Sequence, residues 1–352
     1  MDINFKLPKN AVLELTYQCN QKCKFCSCPW ENTGNPELHY EKYNELSINE
    51  WKSALIVLKQ LGVRCITVSG GETLLKEGLG ELLYFIRENT SLNQNTSIIV
   101  ITNGATMSEE FITLFKKTNV HLSLSLPGLT TFLYHTESTV NSPENILYWL
   151  KRANEESINT TVNVTVTGKN YFELYETLAN GLIAGAGTVL VNRVLVGGRG
   201  LSYVDELSLT KEELQGILFI TEEVLSLSKR TGSIGTEYPY CLIPEKCRKN
   251  KQFRIGSECA AANGFFVIDP SGYIRTCNHS AKRVGFIFDD EIISDMEYWN
   301  MFANKKFNLP DMCNGCSFIE KCACGCREAA ILFSGSISDP DPCFASFDNM
   351  QK

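Results

Sequence analysis

Short apolar and β-branched runs alternate with amphipathic helical stretches from Ala11 to about Arg230. Such alternation is typical of repeated βα units, which build a parallel sheet covered by helices. Six runs have the length and composition of strands, at residues 11–16, 64–69, 97–102, 120–126, 160–167 and 188–194. The pattern therefore predicts an α/β unit with six parallel strands.

The stretches between these runs carry the residues that begin and end helices. Three N-terminal signals are Ser47, Ser142 followed by Pro143, and the capping-box pair Thr210 and Glu213. Gly62 and Gly232 fit the glycine that commonly follows the last turn of a helix. The helices are expected to connect consecutive strands.

The periodicity is lost after Arg230. Residues 231–257 are rich in glycine, proline and charge, which predicts a connection. Residues 265–268 and 273–276 flank four turn-forming residues and predict a hairpin, which a cysteine-rich stretch follows. We expect three parts: a partial barrel over residues 1–230, a bridging segment over 231–258 and a small α+β domain over 259–352.

The composition limits which binding partners and which cellular compartment are expected. The chain has 352 residues, with 33 basic against 40 acidic side chains and no long run of like charge, which argues against nucleic acid and anionic membranes as partners. It shows no signal peptide and no apolar stretch of bilayer length. We expect a cytoplasmic protein whose 15 cysteines serve as metal ligands rather than disulfide partners.

Three cysteines follow the first predicted strand with the spacing C-x3-C-x2-C: Cys19, Cys23 and Cys26. Three thiolates hold three corners of a four-iron cluster, whereas full ligation takes four, so one iron can bind a small molecule. The carboxyl end of a strand is where α/β barrels place their active-site loops. A zinc site is the alternative, but zinc sites usually close with four ligands.

Two further strand ends carry residues suited to bind a small molecule. The second predicted strand leads into Gly70, Gly71 and Glu72, and the third leads into Asn103. Glycine lets the backbone approach a ligand closely, and a carboxylate just beyond can receive an ammonium group. Without the cysteine triplet, the glycine pair would equally fit a simple turn.

From residue 11 to about 196 the chain resembles a radical S-adenosylmethionine (radical SAM) enzyme, through the triplet, Phe25 before its last cysteine, and the Gly70-Gly71-Glu72 motif. The resemblance implies a partial (β/α)6 TIM-type barrel that binds S-adenosylmethionine on a [4Fe-4S] cluster. It also implies that Phe25 lies near the adenine and that the motif holds the methionine ammonium. The other implied cofactor contacts are Asn103, Ser125 and Arg193, with a surface ion pair as the alternative for Arg193.

A second set of cysteines is similar to the seven-cysteine SPASM extension of this family, which binds two auxiliary [4Fe-4S] clusters. By that resemblance, the cluster nearer the substrate is ligated by Cys259, Cys277 and Cys326. The outer cluster would be ligated by Cys313, Cys316, Cys322 and Cys343. A zinc ribbon is the alternative, although seven ligands exceed one tetrahedral site.

Seven cysteines leave the nearer auxiliary cluster one ligand short. Either Cys241, Cys247 or Cys324 completes it, or one of its irons is open to substrate. Of the other cysteines, Cys28 is expected to be a loop thiol and Cys65 a buried core thiol.

The residue that follows Cys277 bears on which reaction the enzyme catalyses. Sulfatase-maturing relatives have Asp directly after the second cysteine of the extension, where this chain has Asn278, followed by His279. An amide does not take up a proton near neutral pH, so formylglycine formation is not expected. His279 fits either a base or a turn histidine, and the catalytic acid or base stays unassigned.

We therefore expect a radical SAM oxidoreductase that abstracts hydrogen from a ribosomally made peptide and forms a crosslink or other oxidative modification. A dehydrogenase of a small alcohol or amine is the alternative, and a non-catalytic metalloprotein fits the intact triplet less well. Expected partners are a precursor peptide and a one-electron reductant such as flavodoxin or ferredoxin. Leader recognition would need a separate protein or a groove on this chain.

Overall fold

The computed structural model describes residues 7–29, 45–89, 96–249, 253–322 and 324–344. In chain order its strands are β1 Asn10–Glu14, β2 Cys65–Ser69, β3 Ser97–Thr102, β4 His121–Ser125, β5 Thr160–Val166, β6 Thr188–Arg193, β7 Thr231–Ile234, β8 Phe253–Ile255, β9 Phe265–Ile268, β10 Tyr273–Arg275 and β11 Arg283–Phe286. They form one 11-stranded sheet with the order β11-β10-β9-β1-β2-β3-β4-β5-β6-β7-β8. Every described strand therefore belongs to a continuous layer.

The helices connect and cover the strands. In chain order they are α1 Ile48–Gln60, α2 Leu79–Glu88, α3 Glu109–Lys117, α4 Phe132–Thr136, α5 Pro143–Glu155, α6 Leu174–Ile183, α7 Val204–Leu207, α8 Lys211–Ser228, α9 Met296–Ala303 and α10 Arg327–Ser334. Thr210 forms the predicted capping box, Ser47 also forms a capping box, and Ser142 caps α5. No helix in the described part of the chain is long and apolar enough to cross a membrane.

Strands β1 to β8 all run parallel, so their carboxyl ends share one edge of the sheet. Val68, Val100 and Leu122 on these strands are fully buried and belong to one core with Leu55 and Leu82 of the helices. Strands buried in this way give the apolar runs seen in the sequence. With β8 and β11 as its edges, the sheet stays open, and the predicted α/β fold of a partial TIM-type barrel is confirmed.

The loss of periodicity after Arg230 did not mark the end of the parallel sheet. β7 pairs with β6 and β8 pairs with β7, both in parallel, inside the segment expected to be a connection. Gly232 lies within β7 rather than after a helix, and α8 ends with Lys229 in the left-handed conformation. Strands of four and three residues are too short to show a period, and glycine is depleted in strands.

The cysteine-rich part continues the same sheet. The predicted hairpin is confirmed as β9 and β10, but β9 also pairs in parallel with β1, and β11 adds a further antiparallel strand. Phe266 of β9 packs edge-on against Trp299 of α9, with ring centroids 6.2 Å apart. The hairpin thus joins the C-terminal cysteines directly to the strand that precedes the N-terminal triplet.

Candidate functional site

The loop that carries the triplet is held from two sides at the carboxyl edge of the sheet. The Lys22 and Lys24 N–H groups donate to the carbonyls at the end of α4, Thr136 O at 3.1 Å and His135 O at 2.8 Å. From the other side, the Arg199 guanidinium donates to Cys23 O at 3.2 Å. The three cysteines are therefore presented by a loop whose backbone is fixed at several points.

The triplet lines a cavity of about 170 Å³. Most of the cofactor contacts expected from the sequence lie around the same cavity, namely Phe25, Gly70, Gly71, Asn103 and Ser125. These residues come from the ends of β1, β2, β3 and β4, which are neighbours in the sheet. Residues separated by about a hundred positions are brought together because parallel strands end at one edge.

The glycine pair has a packing reason besides any ligand. A Cβ added at Gly71 would lie 2.3 Å from Gln18 O, and one added at Gly70 would lie 2.2 Å from Thr16 O. The Gly71 N–H donates to Thr16 O at 2.7 Å. The two glycines thus let the backbone of the loop after β2 pack closely against the loop that carries the triplet.

Glu72 is buried and bound to the protein itself. Its carboxylate accepts hydrogen bonds from Thr102 Oγ1 at 2.5 Å, from the Asn103 N–H at 2.7 Å and from the Leu74 N–H at 3.0 Å. Burial raises its pKa, and these hydrogen bonds act against that rise. In this arrangement Glu72 links the ends of β2 and β3 and does not line the cavity around the triplet.

Arg193 lies at the end of β6, does not line the cavity around the triplet and is only 3% exposed. One of its terminal nitrogens pairs with Asp341 at 2.5 Å, and its Nε donates to Glu237 O at 2.9 Å. The residue does form an ion pair, as the alternative reading proposed, but the pair is buried between β6 and the C-terminal part of the chain.

Some residues around the cavity were missed from the sequence. Asn163 and Thr165 on β5 line it together with Ile101, Gln21 and Arg199. The signal for the first two was available, because polar residues at alternate positions are unexpected in a strand buried on both faces.

The residues present fit a cluster that carries S-adenosylmethionine. Three thiols, the kind of ligand that iron–sulfur clusters use, line the cavity, and Phe25 and the glycine pair lie around it. The side-chain nitrogen of Gln21 is buried without a hydrogen-bond partner in the described residues, and Gln21 lines the same cavity. A buried donor of this kind normally has an acceptor, and a polar ligand would supply one.

A second cavity, of about 430 Å³, continues from the first. The two share the lining residues Phe25, Cys26, Cys28, Ile101, Asn163 and Thr165. Its other lining residues include Cys259, Cys277 and Cys326, the three cysteines expected to ligate the nearer auxiliary cluster. The triplet and this second cysteine set therefore face one continuous space.

The C-terminal cysteines fall into two groups. Burial raises the pKa of the Cys259 and Cys326 thiols, and the neighbouring Glu237 carboxylate raises both further. The other group contains Cys313, Cys316 and Cys322, and Cys241 lies beside them. Cys324 lies against Cys313, and Cys343 lies near Cys241. No three or more His, Cys, Asp or Glu side chains in the described residues are placed to share one metal ion.

Three other cysteines lie outside these groups. Cys28 lies in the loop after the triplet, as expected, and it contacts Cys26 and lines both cavities. Cys65 is half-buried in β2 and not a fully buried core thiol. Cys247 is buried, with its Sγ 3.5 Å from Glu222 Oε2.

Asn278 and His279 both line the second cavity. The Asn278 amide donates to Glu14 Oε1 at 3.2 Å, and the other Glu14 oxygen pairs with Arg275. Burial, together with Arg193 and Arg275, lowers the pKa of His279 to about 4. His279 is therefore uncharged near neutral pH.

Two carboxylates in the same cavity, Glu237 and Glu328, were missed from the sequence. Glu328 Oε1 accepts a hydrogen bond from Tyr298 Oη at 2.7 Å. Neither carboxylate belongs to a motif, and each reaches the cavity through tertiary packing.

Comparison with known proteins agrees with this geometry. Residues 13–179 match the model of the Radical SAM superfamily. A PqqA peptide cyclase of Bradyrhizobium diazoefficiens is 25% identical over 352 residues, covering 97% of this chain and 87% of that protein. The subtilosin biosynthesis protein AlbA of Bacillus subtilis is 25% identical over 291 residues, covering 81% of this chain and 59% of that protein.

Solved structures share the fold. SuiB of Streptococcus suis bound to S-adenosylmethionine aligns with a TM-score of 0.70 at 17% identity, covering 96% of this chain and 77% of that chain. Because the sequence identity is low, this likeness concerns the fold alone. The family match adds the chemical class: residues 13–179 form a domain of the Radical SAM superfamily.

Proposed function

We propose that the protein abstracts a hydrogen atom from a ribosomally made precursor peptide and leaves a crosslink or a comparable oxidative modification in it. The observation that carries this proposal is the continuous space between the triplet and Cys259, Cys277 and Cys326. A relative named PqqA peptide cyclase matches 97% of the chain, which supports a peptide substrate.

The N-terminal end of this space would hold the radical-generating cofactors. Cys19, Cys23 and Cys26 would ligate the first cluster, and bound S-adenosylmethionine would supply a 5'-deoxyadenosyl radical. Phe25 and Ser125 would pack around the nucleoside, and the backbone at Gly70 and Gly71 would face the methionine end. The task of Glu72 would be to fix Asn103 and the glycine loop through its own hydrogen bonds.

An oxidative outcome needs a place for a second electron. Once a substrate C–H has lost its hydrogen atom, closing a crosslink removes one more electron and one proton from the peptide. Two auxiliary clusters on the C-terminal cysteines would receive that electron, and for this reason we class the enzyme as an oxidoreductase. The nearer cluster would be held by Cys259, Cys277 and Cys326, and the outer one by Cys313, Cys316, Cys322 and Cys343.

The second cavity also bears on the kind of reaction. Asn278 stands where a sulfatase-maturing relative has Asp, and its amide is committed to Glu14. Formylglycine formation is therefore not proposed. A flavodoxin or ferredoxin would supply the reducing electron, and a separate protein or a groove on this chain would hold the peptide leader.

Anaerobic turnover tests the proposal. The reconstituted enzyme is incubated with dithionite, S-adenosylmethionine and the short peptide encoded next to its reading frame, and 5'-deoxyadenosine and peptide mass are measured. We expect 5'-deoxyadenosine to form together with a peptide that has lost two hydrogens. An unchanged peptide, with a small alcohol or amine oxidised instead, would replace the peptide substrate by the dehydrogenase alternative.

A further inference from the structure

The nearer auxiliary set contains three cysteines. Of the spare cysteines, Cys28 lines the same cavity but lies against Cys26 of the triplet, and the others lie elsewhere. Cys241 and Cys324 are placed with the outer group, beside Cys322 and Cys313. Cys247 faces Glu222 across 3.5 Å and does not line the cavity around the nearer set. The fourth position of a cluster on this set therefore falls to another kind of side chain or stays open.

Glu237 is a charged side chain that lies near both Cys259 and Cys326, and it lines the cavity with them. Its carboxylate Oε1 lies 3.5 Å from the N–H of Ala260, the residue that follows Cys259. This is a long and therefore weak hydrogen bond, and the carboxylate also accepts one from its own backbone N–H.

A chain of polar contacts fixes Glu237 relative to Cys326. The carbonyl of Glu237 accepts from Arg193 Nε at 2.9 Å, and the same guanidinium pairs with Asp341. Asp341 Oδ2 in turn accepts the Cys326 N–H at 2.6 Å. Because the guanidinium is planar and binds both partners at once, the two backbone segments are held in one arrangement.

We propose that Glu237 supplies the fourth protein ligand of the nearer auxiliary cluster, so that no iron of this cluster is open to substrate. The inference rests on the proposed function, because it requires that Cys259, Cys277 and Cys326 hold a cluster. A carboxylate oxygen is a harder and weaker ligand than a thiolate for a cluster iron. Its presence would raise the reduction potential above that of an all-cysteine cluster, which suits a cluster that accepts an electron.

Glu328 is the matched control. It lines the same cavity and lies near Cys277 and Cys259, but its carboxylate is engaged by Tyr298 Oη at 2.7 Å. A substitution there removes one carboxylate from the cavity without touching the contacts that hold Glu237. The two variants therefore separate ligation from a general change of charge.

The experiment uses the full chain with Cys19, Cys23 and Cys26 replaced by Ala, so that the open iron of the first cluster does not interfere. This parent is reconstituted with ⁵⁷Fe, reduced with dithionite and examined by EPR and ENDOR spectroscopy with ¹³C-cyanide, a ligand for open irons. Glu237→Ala, Glu237→Cys and Glu328→Gln are made in the same parent. We expect ¹³C coupling in the Glu237→Ala variant, and none in the parent, Glu237→Cys or Glu328→Gln.

Coupling in the parent, or its absence in a Glu237→Ala protein that keeps about eight irons, would overturn the inference while leaving two auxiliary clusters in place. If Glu237→Ala falls to about four irons, Glu237→Cys decides: recovery to about eight supports ligation, and no recovery overturns it. A parent that itself holds about four irons or fewer removes the auxiliary-cluster part of the proposed function, and this inference with it.

Discussion

The two cysteine-bearing regions face the same space but are built differently. The triplet lies on a loop behind β1, and fully buried Leu13, Val68 and Val100 form part of the core beneath it. Among the C-terminal cysteines, Cys259, Cys277 and Cys326 are buried. The outer ones instead lie on or beside short turns, such as the 3-10 turns Asp311–Cys313 and Ile319–Lys321, neither of which buries a residue. Packing can therefore order the ligands of the first region, whereas the outer cysteines would depend on the proposed cluster to complete their structure.

The largest expected effect is a loss of catalysis when the triplet is removed. Replacing Cys19, Cys23 and Cys26 by Ala should abolish 5'-deoxyadenosine formation. Among the described residues, no other set of three cysteines lies beside the glycine pair to ligate the first cluster. The protein should stay folded, and its circular dichroism should match that of the wild type. Continued 5'-deoxyadenosine formation would contradict the assignment of the site.

The next effect concerns dependence on metal. Replacing Cys313 and Cys316 by Ala should lower the iron content by about four per chain and expose the C-terminal part to proteolysis. The triplet variant is the control, and its protease pattern should stay close to that of the wild type. Equal resistance of the two variants would mean that the C-terminal region is held by packing alone.

The third effect concerns the buried ion pair between Arg193 and Asp341, whose side chains are 3% and 0% exposed. Arg193→Ala would leave Asp341 buried and unpaired, and should cost about 3–5 kcal/mol of unfolding free energy. Denaturant unfolding measures the loss. The exposed pair Lys249 and Glu245 is the control, and Lys249→Ala should change stability by less than about 1 kcal/mol.

The fourth effect is on pH dependence near the triplet. The Glu173 carboxylate accepts the N–H groups of Leu129 at 3.0 Å, Thr130 at 2.7 Å and Thr131 at 3.1 Å, and so fixes the approach to α4, which holds the triplet loop. Burial alone would raise its pKa, but the hydrogen bonds from Thr131 and Thr130 outweigh burial and leave the pKa below the ordinary 4.5.

A lowered folded-state pKa stabilises the fold above the ordinary value, and that contribution disappears as the pH falls through the lower folded value. Glu173→Gln should cost about 1–3 kcal/mol at neutral pH and flatten the loss of stability below pH 4.5. Urea unfolding at several pH values measures both effects. An acid limb as steep as that of the wild type would show that Glu173 does not contribute to it.

The smallest effect is expected at the lumen face of β5. Thr165→Val removes the hydroxyl of a residue that lines both cavities and should lower the rate of 5'-deoxyadenosine formation by about tenfold, as loss of one hydrogen bond does. Thr161→Val, on the same strand but outside both cavities, is the control. Equal rates in the two variants would remove Thr165 from the site.

The sequence predicted the N-terminal region more completely than the C-terminal region. The six predicted strands were found within two residues of their expected ends, because buried parallel strands and helix caps are local signals. β7, β8 and β11 were missed, since strands of three or four residues carry no period. The position of Glu237 in the second cavity and the pairing of β9 with β1 depend on contacts between distant segments, and no local sequence pattern encodes such contacts.

The central claim is that one continuous space lets a radical made beside the triplet act on a peptide. The direct test is to supply a precursor peptide with deuterium at its carbon positions and to measure deuterium in the 5'-deoxyadenosine by mass spectrometry. We expect deuterium to be transferred into 5'-deoxyadenosine and the peptide to be modified. Formation of 5'-deoxyadenosine without deuterium, in the presence of the peptide, would contradict it.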